Sequence, residues 1–288
     1  MTMHNGNVWE LAFDQPAVLE LQAEFGNLSL VPVEPEHTPR LELSRSSADR
    51  VDVHVDRVNE VVRVSLDSRP ALNSWFGGGW ECRAVLYVPR DVRAAVQTNA
   101  GSISVGGLEG CELGIKADAG KIDLVDVYGL MHLAADAGSI AGRGLGGYFD
   151  VQTQAGSVRL EILDLQPGEH RIRAAMGSVR LELARGMDVC METHSTLGSV
   201  RNNYPMRADA PRRLVLSTEM GSVRVDEGSH QYAARRPASN DGERTGPPRD
   251  APKSAREDPE LDRILKMVEA GELSAKDAEE LLQAMGRV

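Results

Sequence analysis

The stretch Gln154-Ala-Gly-Ser-Val-Arg-Leu160 recurs along the chain and decides the fold. Each copy contains a glycine that is followed two residues later by Ile or Val. Six further copies occupy residues 99–105, 118–124, 136–142, 175–181, 196–202 and 219–225. Successive glycines of the seven copies lie 18 to 23 residues apart. A repeat of this period is typical of a solenoid.

Apolar or small residues alternate with polar residues on both sides of the repeated glycine. Val96 and Thr98 show this pattern before a glycine, and Val158 and Leu160 show it after one. Period-two alternation indicates half-buried strands, and the glycine allows a bend between them. A unit of about 20 residues cannot bury its apolar face alone. We therefore predict an all-β solenoid of stacked units over residues 96–227, with a meandering β-sandwich as the alternative.

Residues 1–95 show a different β pattern. Strand-like runs occupy residues 8–13, 18–22, 28–33, 51–55, 61–66 and 84–88. The segment Phe25-Gly-Asn-Leu-Ser-Leu30 resembles one more copy of the repeat. We expect this N-terminal region to start the solenoid and to cap its first edge, since an open edge invites aggregation.

Composition excludes several classes of protein. The net charge of -11 over 288 residues argues against a general nucleic-acid binder. The cysteines Cys82, Cys111 and Cys190 are odd in number and far apart, so they indicate neither a disulfide framework nor a zinc knuckle. The start of the sequence lacks the pattern of a signal peptide, and no apolar run is long enough for a membrane span. The sequence thus predicts a cytoplasmic protein.

The C-terminal part of the chain changes character twice. Residues 228–257 are rich in Pro, Ser, Arg and Gly, and this composition predicts a disordered linker. Apolar residues at helical spacing then predict two short helices over residues 258–288, with Ser274 as a helix N-cap. The hairpin would present a partner-binding surface of six residues: Leu261, Leu265, Val268, Leu281, Leu282 and Met285.

Two parts of the sequence resemble known families. The stretches Val85-Leu-Tyr-Val-Pro89 and 95–108, followed by the repeated Ala-Gly-Ser-Ile/Val cores, resemble the bacterial putative-adhesin or toastrack domain. Residues 262–282 are similar to the short C-terminal helical (SHOCT-like) module that accompanies this domain. The resemblance implies a β-solenoid, a role in oligomerisation or protein contacts for the helical module, and relatives in bacterial envelope-stress responses.

No motif of an enzyme or of a cofactor site occurs in the sequence. There is no HExxH, GxSxG, P-loop or dinucleotide-binding glycine pattern. His194 and Ser195 are adjacent, so on a strand they would point to opposite faces and could not act together. We therefore assign no catalytic, cofactor-binding or metal-binding residue. A carbohydrate-active or other hydrolytic enzyme that uses the solenoid face is the alternative.

An arginine follows the repeated glycine by three residues in four copies. In stacked units, Arg159, Arg180, Arg201 and Arg224 would form a column with a spacing of about 4.8 Å. Acidic residues two positions further on, Glu161, Glu182 and Asp226, would lie on the same face. The column is therefore either a salt-bridged surface or a ladder that binds an anion, such as a phosphorylated polymer or an acidic peptide.

Two of the three tryptophans lie beside three consecutive glycines in residues 74–80. Trp75, Phe76 and Trp80 would form an aromatic binding loop if they were exposed, or would cover one end of the core if they were folded down.

Together these features predict a non-enzymatic binding or scaffold protein. The solenoid would recognise a macromolecule, with a polyanion as the candidate ligand and no specific nucleic acid. The helical hairpin would recruit a protein partner or a second copy of the chain. We also expect self-association, because the sequence places no capping element after the copy at residues 219–225.

Overall fold

The computed structural model describes residues 4–233 except residues 6, 35, 49–50 and 69–81. Within these ranges the chain is almost entirely β-structure, with one four-residue helix. The elements are β1 (His4–Asn5), β2 (Val8–Glu10), β3 (Val18–Pro32), β4 (Arg40–Leu43), α1 (Arg45–Ala48), β5 (Val51–Val58), β6 (Val61–Ser68), β7 (Arg83–Val88), β8 (Arg93–Gly106), β9 (Glu109–Val125), β10 (Tyr128–Leu165), β11 (Gly168–Arg185), β12 (Cys190–Asn202) and β13 (Arg212–Gln231).

The long strands stack in parallel as the rungs of a β-solenoid. Each rung consists of a first arm before the repeated glycine and a second arm after it. Strand β10 supplies two rungs, because residues 128–143 pair with β9 and residues 150–162 pair with β11. The segment around Gly26 is a rung as well, since β3 pairs with β8 in a register that aligns Gly26 with Gly101. The first rung is divided between β6 and β7, which pair with the two arms of β3.

The repeated glycine forms the corner of each rung. Gly156 has a φ of +155°, a conformation that residues with a side chain rarely adopt. A Cβ atom on Gly156 would lie 1.5 Å from the carbonyl oxygen of Gly138 in the neighbouring rung. The corner therefore requires glycine both for its backbone conformation and for the close approach of the next rung.

A ladder of branched apolar side chains fills the interior beside the corner. The residue two positions after each glycine points inward, and neighbouring rungs align these residues: Leu28, Ile103, Ile122, Ile140, Val158, Val179 and Val223. All seven are at most 1% exposed. The predicted contact register between Val158 and Val179 is confirmed, because the two residues are directly paired.

The order of the last rungs differs from the sequence order. The stack runs β11, β13, β12, so the copy at residues 219–225 lies between two rungs and the copy at residues 196–202 forms the end. The expectation that residues 219–225 form the last rung was therefore wrong. The connection from β12 to β13 turns back over the stack, where the Tyr204 hydroxyl donates to the carbonyl oxygen of Ala184 at 2.7 Å.

The N-terminal end of the stack carries short antiparallel strands. β5 pairs with β6 and β4 pairs with β7, so both arms of the first rung are covered. β2 and β1 then extend the sheet beyond β4. This arrangement agrees with a capping role for the N-terminal region, although β4 was not among the predicted strand runs.

The last strand extends further than the sequence predicts. β13 continues to Gln231, so residues 228–231 belong to the solenoid and not to the linker. Gln231 pairs with Arg185, and the Arg212 guanidinium stacks over the Tyr232 ring at 5.2 Å. These aromatic and cationic contacts order a segment whose composition resembles that of a linker. The rest of the linker and the helical hairpin lie outside the described residues. Within the described residues, no helix has the length and apolarity that a membrane span needs.

Among the residues whose burial is described, His170 is the one histidine in the interior. The ring of His170 is fully buried, its Nδ1 accepts a hydrogen bond from the Phe149 N–H, and its Nε2 lies 2.8 Å from the Gln166 carbonyl oxygen. Only the neutral tautomer with a proton on Nε2 satisfies both contacts. Burial is the main cause that lowers the pKa of His170 below 6.5.

The buried His170 makes stability depend on pH. The unfolded chain gains a proton at this residue below about pH 6.5, whereas the folded chain resists protonation. We expect the unfolding free energy to fall as the pH drops from 7 towards 5, with a contribution of up to about 1.4 kcal/mol per pH unit from this residue. Denaturant titrations at several pH values in this range should show that the unfolding free energy of His170→Gln changes less with pH than that of the wild type. An equal pH dependence of the two proteins would contradict this account.

Because the interior ladder is buried, an acidic substitution in it should destabilise the protein far more than the same substitution at an exposed position. Val179→Asp places an unpaired carboxylate in the core and should cost several kcal/mol or prevent folding. Val58→Asp is the control, because Val58 also lies on a strand but is 42% exposed. Chemical denaturation should show near-wild-type stability for the control. A Val179→Asp protein as stable as the control would refute the inward register.

Candidate anion-binding ladder

The four predicted arginines lie on the outer face of the second arms. Register pairs align Arg159 with Arg180, Arg180 with Arg224, and Arg224 with Arg201. The column therefore runs in the order Arg159, Arg180, Arg224, Arg201, since β13 precedes β12 in the stack. All four side chains are exposed. We call this column the arginine ladder.

The sequence Gly-Ser-Val-Arg explains the position of the ladder. Because side chains alternate on a strand, the buried Val places the Ser before it and the Arg after it on the outer face. Neighbouring rungs lie about 4.8 Å apart. The local motif and the stacking together thus produce a regular row of guanidinium groups.

One guanidinium of the ladder is neutralised by an ion pair. The Arg224 Nε lies 2.5 Å from a carboxylate oxygen of Asp226. This hydrogen bond, supported by a second one from the Asn203 side chain at 2.7 Å, lowers the pKa of Asp226. The Asp226 carboxylate therefore remains charged, and the Arg224 guanidinium is already paired with it.

The other three arginines form no ion pair with any residue that the structure describes. The Glu161 carboxylate, which was expected to compensate Arg159, lies 3.2 Å from the His230 ring instead. Glu182 stands beside the ladder and raises the pKa of Arg224 only as a minor cause, after Asp226. The salt-bridged alternative thus holds at Arg224, while Arg159, Arg180 and Arg201 stay available to an external anion.

A serine ladder that sequence reasoning missed runs beside the arginines. It consists of the residues directly after the corner glycine: Ser157, Ser178, Ser222 and Ser199. The registers align these residues from rung to rung in the same way as the arginines. Their hydroxyl groups can donate hydrogen bonds to an anion that the guanidinium groups attract. The signal was present in the sequence, because the serine recurs in the same motif as the arginine.

Shallow depressions lie on the outer face of the first arms, and two of them border polar residues. One is about 280 Å³ and is lined in part by Lys116, His132 and Asp150. The other is about 400 Å³ and includes Arg173, His194 and Glu219 among its lining residues. Each contains a single carboxylate, whereas glycoside hydrolysis ordinarily uses a pair.

Among the described residues, His194 and Ser195 do not form a nucleophile–base pair. His194 is exposed, while the Ser195 hydroxyl points inward and donates to the Gly221 carbonyl oxygen at 3.2 Å. The two residues point to opposite faces, as predicted. Burial raises the pKa of the Cys111 thiol to about 12, so this thiol stays protonated at neutral pH. In the described part of the chain, no cluster of His, Cys, Asp and Glu could hold a metal ion.

Two of the predicted binding surfaces fall outside the described residues. These are the aromatic loop with Trp75, Phe76 and Trp80, and the helical hairpin. The loop connects β6 to β7, the two arms of the first rung.

Comparison with known proteins gives one match in sequence and two in structure. Residues 259–287 match the model of the SHOCT-like domain. Among curated proteins, none matches this chain. A putative cell adhesion protein from Clostridium sporogenes aligns over 73% of this chain and 92% of its own, with a TM-score of 0.32 and 10% identity. A putative adhesin from Bacteroides fragilis aligns over 78% of this chain and 96% of its own, with a TM-score of 0.31 and 12% identity.

The fold assignment rests on the registers of the chain itself. The C-terminal module is identified by its sequence, and its match confirms the resemblance seen at residues 262–282. The chain thus has a repetitive β-solenoid, followed by a C-terminal segment at residues 259–287 whose sequence matches the SHOCT-like domain.

Proposed function

We propose that this protein is a non-enzymatic binding protein whose arginine ladder holds an acidic polymer. The observation that carries the proposal is the row of guanidinium groups in which Arg159, Arg180 and Arg201 have no ion pair among the described residues. Like charges about 4.8 Å apart repel one another. An anionic chain along the ladder would remove this repulsion.

The scaffold favours repeated contacts over a single strong one. The ladder lies on stacked strands whose inward residues Val158, Val179 and Val223 are almost fully buried, so the backbone positions of its arginines are fixed. Ligand binding therefore need not order the main chain and costs only the side-chain entropy of the arginines. The neighbouring serines add hydroxyl donors along the same line. A phosphorylated polymer or an acidic peptide has the charge that such a surface selects.

The same geometry disfavours a hydrolytic enzyme. The first-arm depressions each present one carboxylate. On the second-arm face, His230 contacts Glu161 and Arg224 contacts Asp226, so two of the three aligned acids are already paired. A flat surface lined by repeated cations suits a long ligand that is held but not cleaved. Binding is therefore the function that we favour.

The C-terminal module supplies a second activity in this proposal. Its match to the SHOCT-like domain, and the role in protein contacts that the resemblance implies, support recruitment of a protein partner by the hairpin. The apolar residues from Leu261 to Met285 are the candidate contact surface. A cytoplasmic location and a place in an envelope-stress response stay predictions from the sequence.

The ladder can be tested by removing its free charges. Arg159, Arg180 and Arg201 are replaced together with Gln, and binding of fluorescent poly-L-glutamate and of inorganic polyphosphate is measured by anisotropy. We expect the affinity to fall about tenfold or more, which corresponds to a loss of about 1.4 kcal/mol. The salt dependence of binding should also become weaker, because fewer ions are released.

The matched control replaces three first-arm arginines, Arg171, Arg173 and Arg213, with Gln. This variant has the same net charge as the ladder variant but keeps the ladder intact. It should bind both probes like the wild type at equal salt. Equal affinity of both triple variants, or no binding of either probe by the wild type, would refute the assignment of the ladder.

A further inference from the structure

Strand β12 presents an unusually open edge at the end of the solenoid. It is 13 residues long and pairs with β13 on one side only, with no strand of the described chain on the other. Leu197 and Val200 on this strand are 65% and 43% exposed. The connection to β13 leaves the edge uncovered, because it turns back towards Ala184 and Met187.

The opposite end of the stack is protected against further pairing. Its outer strand β5 has eight residues, including Asp52, Asp56 and Arg57. On the other arm, the outer strands β1 and β2 are only two and three residues long. Short or charged strands are the usual means of blocking edge-to-edge contacts. By contrast, residues 195–200 of β12 contain no charged side chain.

The pattern of backbone hydrogen bonds shows which N–H and C=O groups of β12 point away from β13, towards the open end of the stack. Residues whose side chains lie on the outer face of the solenoid donate their backbone N–H to the preceding rung. Examples are the bonds from Asn27 to the Cys82 carbonyl oxygen, from Glu112 to that of Val92 and from Asn203 to that of Val225. Because donors alternate along a strand, the inward-facing residues direct their N–H and C=O groups towards the following rung. In β12 these residues are Met191, Thr193, Ser195, Val200 and Asn202, and no rung of the described chain follows.

From these observations we infer that two copies of this chain pair β12 against β12 in antiparallel orientation. A two-fold axis through the corner would place the first arm of one copy alongside the second arm of the other. Thr193 would then face Asn202, and Ser195 would face Val200. These facing residues have the same inward orientation and the same free backbone groups, so the ladder of hydrogen bonds can continue across the axis.

Side chains along the edge fit this register. Leu197 lies at the corner, so the two copies of this exposed residue would meet beside the axis and bury each other. Glu192 would lie diagonal to Arg201 of the second copy, within reach of a long side chain. Arg213 binds only one oxygen of the Glu192 carboxylate, at 2.6 Å, so the other oxygen can accept from Arg201.

One free edge and one protected end give a closed dimer. A two-fold interface uses the same surface of both copies, and the described solenoid has no second open edge of this kind that could recruit a third chain. Only Arg201 is shared with the arginine ladder: Glu192 of the second copy would compete with an external anion at that position, whereas Arg159 and Arg180 lie on other rungs. The inference also places self-association on the solenoid, separately from the helical hairpin.

Sedimentation velocity of the full-length chain between 5 and 100 μM tests the inference. The wild type should form a dimer, and Leu197→Asp should raise the dimer dissociation constant at least tenfold. Val200→Pro should have the same effect, because it removes an N–H of the open edge without breaking a bond to β13. Met206→Asp is the matched control, since Met206 is 54% exposed but lies outside β12.

The register has its own test in cysteine trapping. Under mild oxidation, Leu197→Cys should form a disulfide between copies, which requires Cα atoms within about 7 Å. Met206→Cys and the wild type should not cross-link under the same conditions. A monomeric wild type would overturn the inference. So would dimers that survive Leu197→Asp and Val200→Pro but are lost in Leu265→Asp or Leu281→Asp, which would place the contact on the hairpin.

Discussion

The glycine corner is the constraint on which the rest of the structure depends. At Gly156 the backbone adopts φ +155°, and the next rung approaches so closely that a Cβ would lie 1.5 Å from the Gly138 carbonyl oxygen. Glycines therefore stack on glycines, and a shift of one rung by a single residue would put a side chain into this contact. The corner thus fixes the register of both arms at once.

Every functional column follows from that register. Once the corners align, the residue two positions later enters the core and the residues on either side of it face outward. Val158 and Val179 stack inside, while the arginine and serine ladders form outside. The candidate binding surface is thus a product of repetition. Its regular charge spacing needs no pocket and no loop, in keeping with the shallow relief of the first-arm face.

Much of this architecture could be predicted from the sequence, because the repeat carries its own register. The corner glycines, the inward Val and Ile residues and the alignment of the four arginines all follow from a seven-residue motif. The order of the last two rungs could not be predicted in this way, since residues 196–202 and 219–225 share Gly-Ser-Val-Arg. Their order depends on distant contacts, such as those of Tyr204 with Ala184 and Met187.

A signal for the end rung was nevertheless present. At inward positions where β13 has Leu216 and Val225, β12 has Thr193 and Asn202. Polar residues at core positions indicate a rung that lies at the end of the stack. The compensation expected between Glu161 and Arg159 also depended on distant residues, because His230 takes the carboxylate from a strand that is two rungs away in the stack.

The account is tested most directly by the unfolding free energy of Gly156→Ala compared with Gly114→Ala. Gly114 lies in a first arm, where a Cβ would meet no atom closer than 4.0 Å. If the corners set the register, Gly156→Ala should lose at least about 3 kcal/mol or fail to fold, while Gly114→Ala should stay within about 0.5 kcal/mol of the wild type. Equal unfolding free energies of the two variants would contradict the central role of the corner.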